Sequence, residues 1–421
     1  MRSWFRHERT RFRPAYMLTP GIAILGMLAM GGIAFSGQFS TEAWLTPVMT
    51  ASIMGAFGYA LAGFLVWYVL RRYRSGAELP LRHLILGSVL FSAPFFLALP
   101  VFAGDVFAYI ASVKVAALGN PYAHTLATLG NDPILQQVYP GWHTLPLTYG
   151  PLWAVLLKVL SSITRDTVLL LTSFRLLGLA SIIGCGFVLQ RVVGTGRAAL
   201  IAWNPVVLIE VVGDAHHDLL IGLAILVAIV LAARPLRSAW ALAAGVALKY
   251  VPIILIPLFA LAHPRAQRRF LIYASITAGI FVALTAPFWV GPQTFSGVVA
   301  QSQMFAIPVF FPQFILLNLS YLTIGAHPAP ELIARLIGIV LFVLVALGAL
   351  VYRKRLTLPG AAALTIAAYI VFAASNVQTW YLLWFLPVLP LLPGSHARRW
   401  MIVTMILWGT LIAIPFRLWY A

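Results

Sequence analysis

Long apolar stretches alternate with short basic clusters along this chain of 421 residues. A transmembrane helix needs about 20 predominantly apolar residues, and several of the stretches reach that length. Because Lys and Arg collect on the cytoplasmic side of such helices, the alternation also indicates their orientation. The pattern predicts an all-α polytopic membrane protein with one domain over residues 1–421. We expect about 13 crossings, a cytoplasmic N-terminus and an external C-terminus, in the cell membrane.

The first crossings follow from the basic clusters. The arginine-rich N-terminus is cytoplasmic, Leu18–Phe39 leads out and Thr46–Leu70 leads back, so Leu84–Phe102 delivers Asp105 to the external side. The first stretch follows five arginines and lacks a small-residue cleavage site, so we expect it to remain as an anchor.

Two segments do not fit as single crossings. Pro151–Ile163 has 13 residues, about 20 Å of helix, which is too short for a hydrocarbon core of about 30 Å. We predict an interfacial or half-inserted helix there, followed by a full return span at Thr167–Gln190. Ser238–Ala262 must cross twice to keep the basic clusters on both its sides in the cytoplasm, so we predict two short crossings that meet near Lys249.

Composition supports this class, because 62% of the residues are hydrophobic and only 9% are charged. The net charge of +18 could indicate a nucleic-acid partner. The basic residues flank apolar stretches, however, and form no stripe across a polar surface, so we predict no nucleic-acid partner. Cys185 is the only cysteine, which excludes an intrachain disulfide and a cysteine metal cluster.

Acidic residues concentrate on the predicted external side. Of ten, only Glu8 and Glu78 are predicted to be cytoplasmic. Seven fall at or near outer ends of spans: Asp105, Asp132, Asp166, Glu210, Asp214, Asp218 and Glu331. The sequence contains no P-loop, dinucleotide fingerprint, His-Glu-x-x-His helix or Gly-x-Ser-x-Gly elbow. The working face is therefore expected to be external, without a nucleotide cofactor.

The external loop 104–150 is the most polar segment. Asp105–Leu118 has helical spacing with an apolar face, so we expect a helix along the membrane surface, ended by Gly119 and Pro121. Asp105 then lies at the membrane boundary, where partial desolvation suits a general base for a sugar hydroxyl. The alternative is that Asp105 only caps this helix.

A second external segment, GDAHHDLL, leaves three interpretations open. His216 and His217 could bind a metal, although adjacent histidines diverge on a helix and would need ligands from elsewhere. Asp214 or Asp218 could simply start the next helix. The interpretation that we favour is a site for phosphate or sugar hydroxyls beside the two carboxylates.

Five sequence words carry a family resemblance: GDVFAYIASVKVAALGNPY, TYGPLW, WNPVVLIEVVGDAHHDLLIGL, GVALKYVPIILIPLF and QTWYLLWFLPVLPLL. In this order they resemble the GT-C glycosyltransferases that use polyprenyl-phosphate sugars, in particular the prokaryotic mannosyltransferases of α-1,6-mannan and lipoglycan synthesis. The resemblance covers roughly residues 80 to 400. It implies a GT-C-like fold.

The resemblance also implies a mechanism. In the superfamily, an acidic residue at the start of the first large external loop is the catalytic base, which corresponds to Asp105. Val106 stands where some members have a second acidic residue, so no metal is expected. Where the family usually has His-Asn-Asp, this chain has His216, His217 and Asp218. The implied reaction moves a hexose, mannose by family likeness, from polyprenyl phosphate to a glycan or glycolipid hydroxyl, with inversion and without a cofactor.

Other residues are assigned to the substrates. Lys249 and Arg335 would face the donor phosphate, because a cation at the outer end of a span needs an anion. Aromatic residues on the external side would stack on sugars, although they could equally be interface anchors. The predicted substrate-binding residues are Lys249, Arg335, His216, His217, Asp218, Asn120, Tyr122, Tyr149, Gln378, Trp380 and Tyr381.

Two other classes of function remain possible on these residues. A secondary transporter also has broken helices and intramembrane charges, but we find no duplicated halves, and a structured external loop has no evident role in transport. A scaffold for assembly with other proteins is the third class.

Overall fold

The computed structural model describes residues 80–97, 100, 104–261, 265–303, 312–324, 329–374 and 376–413. The first two predicted crossings, Leu18–Phe39 and Thr46–Leu70, lie outside these residues. Within them every regular element is helical, and one isolated bridge joins Val290 to Pro292. The helical class predicted from the sequence is confirmed.

The described residues contain sixteen α-helices. The single-turn helix Pro140–His143 lies in the loop 104–150 and is left unnumbered, and the other fifteen are numbered in chain order. They are α1 Leu81–Ser92, α2 Asp105–Leu118, α3 Pro151–Ile163, α4 Thr167–Val193, α5 Thr195–Ala202, α6 Pro205–Leu208, α7 Asp218–Val230, α8 Pro235–Leu248, α9 Ile256–Leu261, α10 Ala266–Thr285, α11 Ser296–Gln303, α12 Pro312–Ile324, α13 Ala329–Val351, α14 Arg353–Ala368 and α15 Gly394–Ala413. A π-helical turn, Ile209–Gly213, continues α6, and 3-10 turns occupy Val251–Leu255, Thr379–Trp384 and Leu386–Leu391.

Four described helical segments are long and apolar enough to cross a membrane: Thr167–Val193, Ala266–Phe288, Pro330–Val351 and Arg355–Ala373. Thr195–Ala202 and Val206–Gly213 could form a fifth crossing, bent by 49°. Of the predicted span Leu84–Phe102, positions 98, 99, 101 and 102 lie outside the described residues. The described part of this region is the helix Leu81–Ser92 followed by the 3-10 turn Ala93–Leu97. The total of 13 crossings and the sidedness stay predictions.

Both irregular segments have the predicted local structure. Pro151–Ile163 is a separate helix of 13 residues. The carboxylate of Asp166 then caps α4 by accepting a hydrogen bond of 2.9 Å from the N–H of Leu169, which is the usual role of Asp at a helix start. In the second segment, Ser238–Ala262, the helix breaks at Lys249. The backbone of Lys249 is extended (φ −154°, ψ 132°) between α8 and the 3-10 turn Val251–Leu255. The predicted break near Lys249 is therefore confirmed.

Helix α2 has the predicted bounds but different surroundings. Val106, Ile110 and Val113 are fully buried, and Phe107 is half-buried. Besides α3 and α4, the short turns Leu126–Leu129 and Pro133–Gln137 pack on this helix. The sequence predicted one apolar face on a membrane surface, whereas in the structure the loop 104–150 folds back and covers α2 on several sides.

Helix α7 lies at the centre of the described core. It packs on α4, α8 and the segment 379–391, and Leu219, Ile221 and Ile225 are buried. Gly222 allows the closest approach, because a Cβ there would collide with the carbonyl oxygen of Leu383. This contact positions the C-terminal aromatic segment over the start of α7.

Candidate active site

A pocket lies along one face of α2. Asp105, Tyr109 and Ser112 line it, and their spacing of four and three residues places them on one face of the helix. The break after α8 contributes Lys249, and the segment from Asn376 to Tyr381 forms a further part of the wall. Three distant parts of the chain therefore meet around Asp105.

The pKa of the Asp105 carboxyl lies closer to neutral pH than that of an exposed aspartate. Burial raises the pKa of its carboxyl to about 6; the nearby charge of Lys249 lowers it, and that of Asp218 raises it. Removal from water disfavours the ionised form, which is the usual cause of a raised carboxyl pKa. A base with a pKa near the working pH is the most effective general base. Asp105 is the first residue of α2, directly after the N-cap Gly104, and within the described part of the chain no side-chain hydrogen bond caps this helix start. The structure therefore gives no support to the interpretation of Asp105 as a cap.

Lys249 is held in a cage of aromatic rings. Its Nζ lies 5.2 Å from the ring centre of Tyr149, 4.6 Å from that of Tyr381 and 5.0 Å from that of Trp384. It also donates a hydrogen bond of 3.1 Å to Asp218. From the sequence this ammonium was expected to need the donor phosphate as its anion, whereas the structure pairs it with Asp218 within the protein. It still lines the pocket, so it can face a substrate.

Asp218 lies behind the pocket wall. Its side chain is fully buried, and Oδ1 accepts a second hydrogen bond, of 2.6 Å, from the indole of Trp384. Asp218 is not among the residues that line the pocket. The geometry gives it the role of positioning Lys249, where the sequence predicted direct substrate binding.

Tyr149 is fixed by its neighbours in the TYGP word. The N–H of Gly150 donates to the carbonyl of Leu248 (2.9 Å), and a Cβ at Gly150 would collide with the carbonyl oxygen of Ala247. The hydroxyl of Tyr122 donates to the carbonyl of Tyr149 (2.8 Å). This close approach of two backbones is what sets Tyr149 beside Lys249.

Asn120 and Tyr122 have structural contacts. The Asn120 amide donates to the carbonyl of Phe288 (2.7 Å), and its oxygen accepts from the N–H of Tyr122 (3.0 Å). Neither residue lines the pocket, while Pro121 between them does. The sequence assigned both to substrate binding; the structure has them shape the turn beside it.

The two histidines occupy different environments. His217 stacks on Trp153 at 3.8 Å between ring centres, and His216 stacks on Trp380 at 3.8 Å. Both are buried, and neither lines the pocket. Burial lowers the pKa of His216 to about 3 and that of His217 well below its usual value. Both rings are therefore neutral near pH 7.

The C-terminal segment contributes polar and aromatic groups. Gln378, Trp380 and Tyr381 line the pocket, as the sequence predicted for sugar contacts, and Asn376 joins them. The Gln378 amide donates to the Asn376 oxygen at 2.6 Å. Asn376 was not among the residues predicted from the sequence. Its spacing of two residues from Gln378 in an extended stretch is the signal that could have found it.

Arg335 lies elsewhere. Its guanidinium donates to the carbonyls of Ser302 and Gln303, the latter at 2.6 Å, and it is not among the pocket residues. Gln301 lies in α11 together with Ser302 and Gln303, and it lines the pocket. It was not predicted from the sequence. The buried guanidinium of Arg175 donates to the carbonyl of Gly213 at 3.0 Å.

A second polar cluster lies behind the pocket. Glu210, in the π-helical turn, faces Asp214 and His216, and their potential ligand atoms all lie within 4.8 Å of one another. All three side chains are buried. Ala215, between the last two, has the positive φ of 58° that is rare outside glycine, and such strain tends to accompany functional sites.

Comparison with known sequences assigns this chain to a protein family. A family profile described as alpha-(1->6)-mannopyranosyltransferase, N-terminal domain, matches residues 17–265. That range includes Asp105, Tyr149, Asp218 and Lys249, and it ends before the segment from Asn376 to Tyr381.

Curated relatives carry the same name. Alpha-(1->6)-mannopyranosyltransferase A of Mycobacterium tuberculosis is 31% identical over 221 residues, 47% of this chain and 42% of that protein. A probable alpha-(1->6)-mannopyranosyltransferase of Mycolicibacterium smegmatis is 28% identical over 195 residues, 42% and 33% of the two chains. Alpha-(1->6)-mannopyranosyltransferase A of Corynebacterium glutamicum is 25% identical over 216 residues, 49% and 38%.

The matched region spans less than half of the length of each of these relatives. The family profile, in contrast, covers more than half of this chain and contains the predicted catalytic loop 104–150. This protein therefore belongs to the alpha-(1->6)-mannopyranosyltransferase N-terminal-domain family.

Proposed function

We propose that this protein is a membrane mannosyltransferase that takes mannose from a polyprenyl phosphate and attaches it to a hydroxyl of a glycan or glycolipid. The observation that carries the proposal is the meeting of Asp105 and Lys249 in one pocket, inside the region matched by the family. A base and a cation on the same cavity suit a reaction in which a hydroxyl loses a proton and a phosphate leaves.

The proposed step is a single displacement. The acceptor oxygen attacks C1 of the donor mannose while the bond from C1 to the phosphate oxygen breaks, so the configuration at C1 inverts. The electron pair of the broken bond stays on the polyprenyl phosphate, and the hydroxyl proton moves to the carboxylate of Asp105. Asp105 then returns the proton to water. No metal takes part in this step.

Lys249 stabilises the leaving group in this scheme. Its ammonium is fixed by Asp218, at 3.1 Å, and by the surrounding rings, so little reorganisation is needed when charge develops on the phosphate. A charge-assisted contact of this kind contributes about 1.5–3 kcal/mol. The pairing with Asp218 reduces the net charge at the site. Lys249 therefore stabilises the leaving phosphate mainly by donating an N–H hydrogen bond to it, and less by long-range electrostatic attraction.

The far wall of the pocket binds the acceptor. Trp142, Trp380 and Tyr149 offer aromatic faces, and Asn376 and Gln378 offer amides that can donate to and accept from neighbouring hydroxyls. Sugar rings present an apolar face and a polar rim, and this combination of side chains matches both.

The pocket would open toward the external leaflet. We infer this from the predicted topology, in which the loop 104–150 is external and the donor enters sideways from the membrane. The lipid tail then stays in the bilayer while the mannosyl phosphate reaches Lys249. The family membership supports this enzyme over the transporter and the scaffold considered from sequence.

Reconstitution tests the function. The full chain in proteoliposomes receives polyprenyl-phosphate mannose labelled in the sugar, together with a short mannan acceptor. We expect a labelled product with one added mannose and no product from a nucleotide-linked mannose. Movement of the intact labelled lipid across the bilayer without a new glycosidic bond would support the transporter, and transfer only from the nucleotide-linked sugar would contradict the proposed donor.

A further inference from the structure

The buried cluster of Glu210, Asp214 and His216 lies outside the pocket and takes no part in the proposed displacement. Glu210 belongs to the π-helical turn, and the N–H of His216 donates to the carbonyl of Glu210 at 2.9 Å. This backbone hydrogen bond therefore brings Glu210 and His216 close together. Each of the three side chains is at most 1% exposed.

The distances between the side-chain ligand atoms of the cluster match those expected around one metal ion. Nε2 of His216 lies 3.6 Å from a carboxylate oxygen of Glu210, too far for a hydrogen bond. Two ligand atoms that are each about 2.1 Å from a tetrahedral ion lie about 3.4 Å apart. An oxygen of Asp214 completes a group whose members are all within 4.8 Å. One ion could contact all three atoms after small side-chain rotations.

His216 supplies a second, independent observation. Among the residues that the structure describes, its Nε2 is fully buried and has no hydrogen-bond partner, and it points toward Glu210. Its other nitrogen, Nδ1, lies 3.3 Å from the hydroxyl of Tyr109. A histidine that ligates a metal through one nitrogen commonly donates a hydrogen bond from the other, which fixes its tautomer. Tyr109 can accept that hydrogen bond.

We propose that Glu210, Asp214 and His216 bind a divalent ion of the zinc type. One imidazole and two carboxylates form a donor set that Zn²⁺ and Mn²⁺ accept, and three protein ligands leave a fourth position for water. No metal was expected beside Asp105, because Val106 stands where some family members have a second acidic residue. At the histidines, a metal would have needed ligands from elsewhere in the chain. In this proposal only His216 of the two histidines takes part, and the preceding turn supplies the other two ligands.

Such an ion would support the back of the pocket. His216 stacks on Trp380 and contacts Tyr109, and both of these residues line the pocket. An ion that fixes the ring of His216 therefore fixes two walls at once. This inference does not depend on the proposed transfer reaction, because the ion lies outside the pocket and its presence can be measured directly.

The test is metal content. The purified full chain is incubated with ZnCl₂ or MnCl₂, dialysed against metal-free buffer and analysed by inductively coupled plasma mass spectrometry. We expect about one ion per chain in the wild type and a loss of about tenfold or more in Glu210→Gln and His216→Gln, since outer or inner ligand changes commonly cost that much affinity. His217→Gln is the matched control, equally buried but outside the cluster, and it should keep the ion.

A second measurement, made first on the wild-type protein, tests the proposal even if the ligand variants fail to fold. Cobalt titration of the wild type should give a visible absorption band that saturates at about one equivalent. Asp105→Asn should give the same titration, which would separate this ion from the pocket. Wild-type protein without stoichiometric metal or a cobalt band would overturn the proposal, as would equal metal content in His216→Gln and the wild type or loss of the ion in Asp105→Asn.

Discussion

The ammonium of Lys249 lies 3.1 Å from Oδ1 of Asp218, and both side chains are nearly or fully buried. Trp384 donates to the same oxygen, so the carboxylate is fixed from two sides. The pair links the break after α8 to the first residue of α7. It therefore holds Lys249 at a fixed point of the pocket wall.

Removing one member of this pair should destabilise the fold more than removing both. Lys249→Met leaves the Asp218 carboxylate buried beside apolar rings, which costs about 3–5 kcal/mol, whereas loss of a whole buried pair is often close to neutral. Thermal unfolding in detergent of Lys249→Met, Asp218→Leu and the double variant measures this. We expect the double variant to recover most of the stability of the wild type.

Lys114 provides the matched control, because it pairs with Asp132 at 2.9 Å in a more exposed position. Lys114→Met should cost about 1 kcal/mol or less, as is usual for a surface ion pair. Equal destabilisation by Lys114→Met and Lys249→Met would contradict the importance assigned to burial.

The pH dependence of transfer should follow Asp105. Burial places its pKa at about 6, and a general base works only when ionised. The value of kcat/KM should therefore fall below about pH 6, approaching tenfold per pH unit. Lys249 lowers this pKa, so Lys249→Met should move the acidic limb to higher pH, besides lowering turnover.

Asp218→Asn should move the limb the other way, since the Asp218 charge raises the pKa of Asp105. Steady-state rates between about pH 4.5 and 8 in the three proteins distinguish the shifts. An acidic limb that stays in place in both variants would mean that another group controls the rate.

Gly150→Ala should disrupt the site from a distance. The added methyl group would collide with the carbonyl oxygen of Ala247. The loop backbone that carries Tyr149 must therefore move away from Lys249. We expect a loss of about 1–3 kcal/mol of stability, the usual cost of overpacking, together with reduced transfer. Gly279→Ala is the control, because a Cβ at Gly279 meets nothing within 4 Å. That change should be neutral or slightly stabilising in a helix.

The sequence predicted the local structure well where a residue acts on its own backbone. Gly119 and Pro121 end α2 at the predicted place, and the helix breaks at Lys249, three residues before Pro252. These signals are local, because a proline or glycine alters the conformation of its immediate neighbours in any fold.

Contacts between distant parts of the chain were not predictable in this way. Asp218 is separated from Lys249 by 31 residues, and hydropathy does not indicate which charges meet. Lys249 was therefore predicted as an unpaired ammonium, and Arg335 was selected for the same reason. The structure does not place Arg335 among the residues that line the pocket. Tertiary packing decides such pairings, and it depends on close approaches such as that of Gly222 to Leu383.

Sidedness can be tested by cysteine labelling. Cys185 is buried and can be replaced by alanine. Ser296 is exposed and adjoins Gly297, which packs on Pro146 and Leu147 of the loop that is predicted to be external. Ser296→Cys should react with an impermeant reagent in intact cells, and Arg234→Cys, in a predicted cytoplasmic turn, should react only after lysis. Protection at Ser296 with labelling at Arg234 would reverse the predicted topology.

The most direct test of the central claim is mannose transfer by Asp105→Asn. The variant keeps the size of the side chain and removes the base, so transfer from labelled polyprenyl-phosphate mannose should fall at least about 100-fold, while donor binding and thermal stability change little. Asp132→Asn, a carboxylate of the same loop paired with Lys114, should retain most of its activity. Transfer by Asp105→Asn at a rate close to that of the wild type would contradict the account.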